Sequence, residues 1–388
     1  MRNRARIGAL SIAWLSMLAV SPGRAADQGS GSTEPAQGGI TWALLPIVGF
    51  SPETSASGGA KFRDSDLFGT GTVLDLQGSY ALKEQQFGSV LLEDPHVFDS
   101  VFSVGLDVSW ASDPAKEFFG LGNDSDGPNA ASSHLFQDAS ARVSLGVWLT
   151  STLRYSFAIA VRQLEVGHTR DRGSDAVSTR ERFPDLPGVG GGQIRTLRLD
   201  LVYDAHPGEL RPIDGWGIGG FVEEVGPSLD NHFNYTFYSL EVSRRQPLFQ
   251  DWLVAAARAR AQYVEGVTRE IPFFVLPSLG GADTLRGFFP DRFLGRGSAL
   301  VNLELREKIA AFDFFDIWQV TIDATGFGDF GRVYEGEEAF SHEVVSDWKA
   351  SCGGGVRFFL SSGLVARVDV GFTNEERALT YLRFGQMF

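Results

Sequence analysis

The stretch Leu279–Arg306, LGGADTLRGFFPDRFLGRGSALVNLELR, joins a glycine-rich segment to a run in which apolar and polar residues alternate. After the turn at 295–297, the run Val301–Arg306 places aliphatic side chains on one face and polar side chains on the other. Such alternation is typical of a β-strand with one apolar and one polar side. The stretch therefore predicts a glycine-rich loop that leads directly into a strand of this kind.

The same alternation recurs along the chain. Val104, Leu106 and Val108 alternate with polar residues and glycine, and Leu197, Leu199 and Leu201 do the same. After the first 25 residues no segment has the roughly 20 apolar residues of a transmembrane helix. A soluble sandwich and a membrane barrel both fit this alternation. In lipid, however, all backbone polar groups must be paired within the protein, so an all-strand membrane protein closes into a barrel.

Counting alternating segments predicts an all-β fold, a transmembrane antiparallel β-barrel of about 16 strands, with a long loop near 265–296. Bacterial barrels have an even number of strands. The expected strands are 41–49, 55–64, 70–82, 86–94, 98–112, 134–148, 152–166, 193–206, 214–226, 233–246, 252–264, 297–309, 318–334, 351–361, 363–373 and 377–388. The long connections between them are expected near 112–133, 166–192, 265–296 and 335–350.

The N-terminus predicts export from the cytoplasm. Arg2, Arg4 and Arg6 precede the apolar run 7–20, and small residues follow it up to Ala25. This is the pattern of a cleaved signal peptide covering residues 1–25. Residues 26–40 form a flexible Gly/Ser/Thr/Pro-rich periplasmic prelude that is too short to fold, and residues 41–388 form the barrel.

Composition agrees with a barrel and argues against nucleic-acid partners. The chain contains 31 Phe and 46 Gly, and its mean hydropathy is −0.05. Residues 1–25 hold four arginines and no acidic residue, so their removal changes the formal charge from −14 to −18. Such an acidic protein is not expected to bind nucleic acid.

The glycine-rich segment resembles the loop signature of the BamA/TamA superfamily of outer-membrane barrels, including bacterial surface antigens. The matching residues are Gly280, Gly281, Leu285, Arg286, Gly287 and Phe288. In that family this loop folds back into the lumen. Relatives carry periplasmic POTRA domains before the barrel, and residues 26–40 cannot hold one. The resemblance therefore implies a short member lacking POTRA domains, integral to the bacterial outer membrane.

The resemblance also implies a partner for Arg286, because a guanidinium in a partly dehydrated lumen needs a carboxylate. Asp329 lies in the segment 326–331, GFGDFG, which resembles the family's G-x-x-D-x-G strand that receives the loop arginine. Glu304, Asp323 and Asp369 are further candidates on polar faces. The alternative is that Arg286 only caps a solvated surface loop.

The segment YLRFGQMF, residues 381–388, resembles the assembly signal of outer-membrane barrels. Leu382, Phe384 and Phe388 are expected on one face, although Gln386 interrupts that face. A soluble edge strand could also end in phenylalanine, but exposed apolar edges are usually avoided.

Catalysis has little support in the sequence. The six histidines are scattered, and no H-E-x-x-H or G-x-S-x-G motif occurs. We therefore expect no enzyme activity, no catalytic residues, no metal site and no cofactor.

Two functions remain for such a barrel. The family resemblance implies that it assists insertion, assembly or translocation of polypeptides at the outer membrane, through a weak seam between its first and last strands. Its partners would be outer-membrane lipids, a client barrel or secreted polypeptide, and a separate periplasmic subunit. The alternative is a closed or weakly conducting passive pore, or a structural surface antigen, without a client.

Overall fold

The computed structural model describes residues 41–125, 127, 131–169, 177–206, 209, 211–314, 318–336, 347–360, 364–375, 378–385 and 387–388. The expected signal peptide, 1–25, and the prelude, 26–40, lie outside the described residues. None of the described helical segments has the length and hydropathy of a transmembrane helix.

Strands dominate the described chain. In chain order they are β1 Trp42–Ser51, β2 Ser55–Leu67, β3 Thr72–Ala81, β4 Gln86–Asp94, β5 Phe102–Phe118, β6 Ser132–Trp148, β7 Leu153–Gly167, β8 Gly192–Asp204, β9 Gly215–Val225, β10 Tyr235–Phe249, β11 Leu253–Glu265, β12 Ser278–Leu279, β13 Phe293–Leu294, β14 Gly297–Phe314, β15 Trp318–Tyr334, β16 Lys349–Leu360, β17 Leu364–Phe372 and β18 Leu379–Phe384. The helical segments are the short helix α1, Thr179–Arg182, and the 3-10 turns Val97–Asp99, Pro227–Leu229, Thr268–Glu270 and Phe273–Val275.

Within the described residues, sixteen of these strands form one closed antiparallel barrel, in which β14 follows β11 and β18 returns to β1. The remaining two, β12 and β13, pair with each other in the loop between β11 and β14. The prediction of an all-β antiparallel barrel of about 16 strands is confirmed.

The alternation of the sequence becomes the two sides of the barrel wall. On β5, Leu106 and Val108 are exposed on the outer side, whereas Ser103 and Ser109 are buried on the inner side. The register of β5 with β6 places Leu106 opposite Val143, which is also exposed on the outer side. The wall is therefore apolar toward lipid and polar toward the lumen, as a transmembrane barrel requires.

The longest connections lie at one end of the barrel. They span 119–131, 168–191, 266–296 and 335–348, and each follows an odd-numbered position in the strand sequence of the barrel. Strand direction alternates in an antiparallel barrel, so these four connections share one rim. We call this rim the long-loop rim.

Strand bounds differ from the predicted ones at several strands; β14, for example, ends at Phe314 instead of 309. The expected strand 98–112 begins at Phe102, because Phe98 adopts a left-handed φ of 54° in a 3-10 turn. The strands flanking the connection at 112–133 extend to Phe118 and begin again at Ser132. The expected strand 377–388 ends at Phe384, because Gly385 turns the chain with a φ of 93°.

Candidate functional site

The loop between β11 and β14 fills the lumen near the long-loop rim. Leu279, Leu285 and Phe293 are fully buried, and they pack with Leu300 of β14 and Val333 of β15. A second part of the loop, from Ile271 to Val275, packs against inward-facing residues of β5 to β11. The loop is therefore a packed part of the barrel interior. We call residues 266–296 the plug loop.

Glycines shape the tip of the plug loop. Gly280 and Gly281 have φ values of 121° and 90°, which side chains with a Cβ rarely adopt. Thr284 closes the turn, because its hydroxyl accepts a hydrogen bond from the Gly280 amide at 2.8 Å and donates one to the Gly280 carbonyl at 2.7 Å. This turn presents the next residues, Leu285 and Arg286, to the barrel wall.

Arg286 is fully buried and makes a bidentate ion pair with Asp329 of β15. Its Nε donates to Asp329 Oδ2 at 2.8 Å, and its Nη2 donates to Oδ1 at 2.7 Å. The Arg286 backbone amide donates to the same carboxylate at 3.1 Å. The guanidinium also lies 3.5 Å from the ring centroid of Phe327. A planar guanidinium is required for this combination, and lysine cannot reproduce it.

Two further carboxylates complete the surroundings of Arg286. Its Nη1 donates to Glu304 Oε1 of β14 at 2.5 Å and lies 3.8 Å from Asp369 Oδ1 of β17. Arg306 and Arg357 also bind these carboxylates: Arg306 pairs with Glu304 at 2.7 Å, and Arg357 bridges Glu304 and Asp369 at 3.1 and 2.6 Å. We call Arg286, Arg306, Arg357, Glu304, Asp329 and Asp369 the ion-pair cluster. A fourth arginine, Arg367, lies at its edge, 3.8 Å from Asp369.

Asn302 ties the cluster to the backbone of the plug loop. Its side-chain amide donates to Asp329 Oδ1 at 2.8 Å and to the Thr284 carbonyl at 2.7 Å. Buried polar groups of this kind are stabilising only when they are satisfied. The loop is consequently held by hydrogen bonds to its main chain as well as by the arginine.

The four candidate carboxylates do not all reach Arg286. Asp329, Glu304 and Asp369 surround it, but Asp323 pairs with Arg211 at 2.8 Å. The expectation for Asp323 was wrong because Asp323 lies six residues from Asp329 on the same strand. At about 3.3 Å per residue, that separation is roughly 20 Å.

The backbone of the plug loop touches β17 at two glycines. A Cβ built on Gly371 would lie 2.5 Å from the Gly287 nitrogen and 2.7 Å from the Arg286 carbonyl carbon. Gly287 itself has a φ of 94°. Beside this contact, the Tyr381 hydroxyl of β18 accepts from the Gly287 amide at 3.2 Å and donates to the Phe288 carbonyl at 2.9 Å. The docking of Arg286 therefore requires that the backbones at Gly287 and Gly371 approach each other without a side chain between them.

Sequence reasoning missed several of these residues, namely Asn302, Arg306, Arg357, Gly371 and Tyr381. Part of the signal was visible, because Asn302 and Arg306 alternate in phase with Glu304 on β14 and so share its face. Gly371 and Tyr381 carried no such signal, because their contacts depend on how closely the loop approaches β17 and β18.

The end of the chain does not form the expected continuous face. Leu382 and Phe384 lie on β18, but Phe388 lies beyond Gly385 and its ring contacts the guanidiniums of Arg258 and Arg306 in the lumen. The expectation that Phe388 shares a face with Leu382 and Phe384 was wrong, since the left-handed turn at Gly385 ends the alternation. The assembly-signal role of these three residues stays a prediction.

The seam between β1 and β18 is short. Among the described residues, these strands share one registered pair, Phe50 with Leu382, whereas β1 and β2 share ten, from Trp42–Asp64 to Ser51–Ser55. β1 is apolar on both faces, with Leu44 and Val48 directed outward and Leu45 and Ile47 directed inward. Most of the edge of β1 that faces β18 is therefore without a registered partner in the described chain.

Beside the seam, Glu53 in the turn between β1 and β2 is buried. Burial raises the pKa of its carboxyl well above the usual value of 4.5, although Arg383 acts in the opposite direction. Asp291 and Glu117 also face it and raise the pKa further. Above pH 4.5, Glu53 in the unfolded chain has released its proton, whereas Glu53 in the folded protein still binds it. The stability of the fold therefore falls as the pH rises from about 4.5.

We predict that Glu53→Gln reduces this pH dependence. Between pH 4.5 and 8, the wild-type thermal midpoint should fall, whereas the midpoint of Glu53→Gln should fall less and exceed that of the wild type at pH 8. Thermal unfolding of the detergent-solubilised barrel over this range measures both. Parallel curves for the two proteins would contradict the assignment to Glu53.

The described residues offer no group of three or more His, Cys, Asp or Glu side chains that could hold a metal ion. The carboxylates of the ion-pair cluster are instead occupied by arginines. The arrangement is suited to holding a loop in one geometry.

Comparison with known proteins gives a family and a fold. The profile of the Omp85 superfamily domain matches residues 66–385. Among solved structures, BamA from Haemophilus ducreyi lacking POTRA domains 1–3 is similar, with a TM-score of 0.60 and 15% identity over 89% of this chain and 70% of that chain. CdiB from Escherichia coli gives a TM-score of 0.59 and 11% identity over 87% of this chain.

CdiB from Acinetobacter baumannii gives a TM-score of 0.55 and 12% identity over 88% of this chain. The match covers 62% of the Escherichia coli CdiB chain and 59% of the Acinetobacter baumannii one. At these identities the solved structures establish the barrel fold. No match was found among curated protein sequences.

Proposed function

Because the chain belongs to the Omp85 superfamily, we propose that it is an integral protein of the bacterial outer membrane that assists insertion, assembly or translocation of polypeptides. Its partners would be outer-membrane lipids, a client barrel or secreted polypeptide, and a separate periplasmic subunit. No covalent chemistry and no cofactor would be involved, and nucleic acid would not be a partner.

The observation that carries this proposal is the seam. A strand edge with unpaired N–H and C=O groups is a template for another strand, and among the described residues β1 shares a single registered pair with β18. A client strand could add to β1 by β-augmentation. The apolar residues on both faces of β1 fit a strand that opens into lipid, because neither face needs to meet water.

In this mechanism the plug loop stays docked in the lumen while β1 and β18 separate at the seam. Arg286 holds the loop to Glu304, Asp329 and Asp369, which lie on three strands at the C-terminal side of the seam. The matching loop motif, Gly280, Gly281, Leu285, Arg286, Gly287 and Phe288, would thus act as a structural lock on the last strands.

The proposal is tested by locking the seam. We would place cysteines at Phe50 and Leu382 in a Cys352→Ser background, since opposed residues of an antiparallel pair have Cα separations that a disulfide can bridge. In lipid vesicles, the reduced protein should accelerate insertion of an unfolded model barrel into a protease-resistant state. Oxidation should abolish the acceleration, and reductant should restore it.

A matched pair controls for the disulfide itself. Cysteines at Phe62 and Leu76 join β2 and β3 at an opposed pair away from the seam, so oxidation should leave the acceleration unchanged. Absence of acceleration by the reduced protein, together with steady single-channel conductance, would favour the passive pore instead. Equal activity of the oxidised and reduced seam variant would exclude the seam mechanism.

A further inference from the structure

The chain leaves the barrel wall after β18 and enters the lumen. The Gly385 amide donates to the Val365 carbonyl of β17 at 2.7 Å, and Gly385 has a left-handed φ of 93°. Met387 is 4% exposed, and Phe388 reaches β11 and β14. In the barrel order, β14 is the fourth strand from β18, so this segment crosses the interior.

Two arginines of the far wall bind the segment. Arg258 of β11 donates through Nη1 to the Met387 carbonyl at 2.9 Å, and Arg306 of β14 donates through Nη2 to the main-chain oxygen of Phe388 at 3.2 Å. The guanidinium carbons of the two arginines lie 5.0 and 5.2 Å from the centroid of the Phe388 ring. The ligand groups are thus two main-chain oxygens and one aromatic ring, which attract cations.

The binding groups are organised by contacts that do not involve the segment. Arg258 donates through Nε and Nη2 to Asn302 Oδ1 at 3.0 and 2.8 Å, and through Nη2 to the Asp283 carbonyl of the plug loop at 2.7 Å. Arg306 is fixed by Glu304, to whose Oε2 its Nε donates at 2.8 Å. Both guanidiniums would keep their positions if the segment left, as a preformed site requires.

We propose that Arg258 and Arg306 form a lumenal peptide-binding site for a segment that carries an aromatic side chain, and that Met387–Phe388 is the ligand that occupies it in this structure. Occupancy is linked to the seam, because residues held in the lumen cannot extend the β18 ladder along β1. An aromatic segment of another polypeptide would compete with the chain's own segment for the same arginines. The binding site itself does not depend on the proposed insertion function.

The site is tested by emptying it and adding a probe. A variant lacking residues 385–388 would be titrated with a fluorescent peptide, RFGQMF, which reproduces residues 383–388, and binding followed by anisotropy. Saturable binding is expected, at least about tenfold weaker after Arg306→Gln or Arg258→Gln and after replacement of the final phenylalanine of the peptide by alanine. Arg162→Gln on β7, an arginine paired with Asp138, is the matched control and should bind normally.

A second measurement uses the intact chain, so that a folding defect of the shortened variant does not decide the matter. Met387→Cys in a Cys352→Ser background should react slowly with a small maleimide, because residue 387 is buried. Adding Arg306→Gln should raise the labelling rate at least about tenfold. Equal labelling rates with and without Arg306→Gln, or peptide binding that does not respond to either arginine, would overturn the proposal. Both measurements are independent of insertion activity.

Discussion

Replacement of Arg286 by alanine is expected to release the plug loop from the lumen. The substitution removes the bidentate arginine of the buried Asp329 and one of the three arginines around Glu304, and breaking a buried pair in this way costs about 3–5 kcal/mol. With every 1.4 kcal/mol equal to a factor of ten, the ratio of docked to undocked loop should fall roughly 100-fold or more. The barrel wall should persist, since its ladders do not use Arg286.

Trypsin measures this release, because Arg292 lies within the plug loop and is 3% exposed. In Arg286→Ala, cleavage after Arg292 should accelerate, and polypeptide insertion should decline in parallel. Arg286→Lys keeps the charge but loses the bidentate geometry, so an intermediate result is expected. Arg269→Ala removes an exposed arginine of the same loop and should behave as wild type. Slow cleavage and full activity of Arg286→Ala would refute the lock.

Gly371→Ala should expel the same loop without altering any charge. The added Cβ would meet the backbone of Gly287 and Arg286 at 2.5–2.7 Å, and a backbone contact cannot be relieved by rotating a side chain. Overpacking of this kind costs about 1–3 kcal/mol, which corresponds to a loss of the docked state of roughly fivefold to 140-fold. Faster tryptic cleavage after Arg292 and slower insertion are therefore expected here too.

Gly326→Ala is the matched control for Gly371→Ala. It places the same methyl group on β15, two strands from β17 in the barrel, where nothing lies within 4 Å. The double variant Arg286→Ala with Gly371→Ala should be no worse than Arg286→Ala alone, because both changes act on one docking event. Additive losses in the double variant would show that Gly371 acts elsewhere in the barrel.

Periodicity predicted the wall of the barrel far better than its interior. The pattern with a period of two was sufficient for β15, whose predicted range 318–334 matches Trp318–Tyr334. It failed where a single backbone angle ended the pattern, at Phe98 and at Gly385. Hydrophobic alternation reports which side chains face lipid, but it does not report a left-handed φ.

The interior needed information that a strand pattern does not carry. The family motif pointed to Arg286 and Asp329, and the structure places them together, but alternation could not separate Asp323 from Asp369 because both face inward. Their difference is the height along the barrel axis, which depends on strand register. The close approach of Gly287 to Gly371 likewise depends on the path of a loop through the lumen.

The docking surface of the plug loop also constrains the order of folding. Its contacts come from β14 through Glu304, from β15 through Asp329, from β17 through Asp369 and from β18 through Tyr381. Contacts between residues distant in sequence form late, because the entropy cost of closing the intervening loop comes before the stabilising contact is made. Arg286 therefore cannot contact all its partners until the last strands have paired. Docking of the plug loop in the lumen thus marks the completion of the barrel.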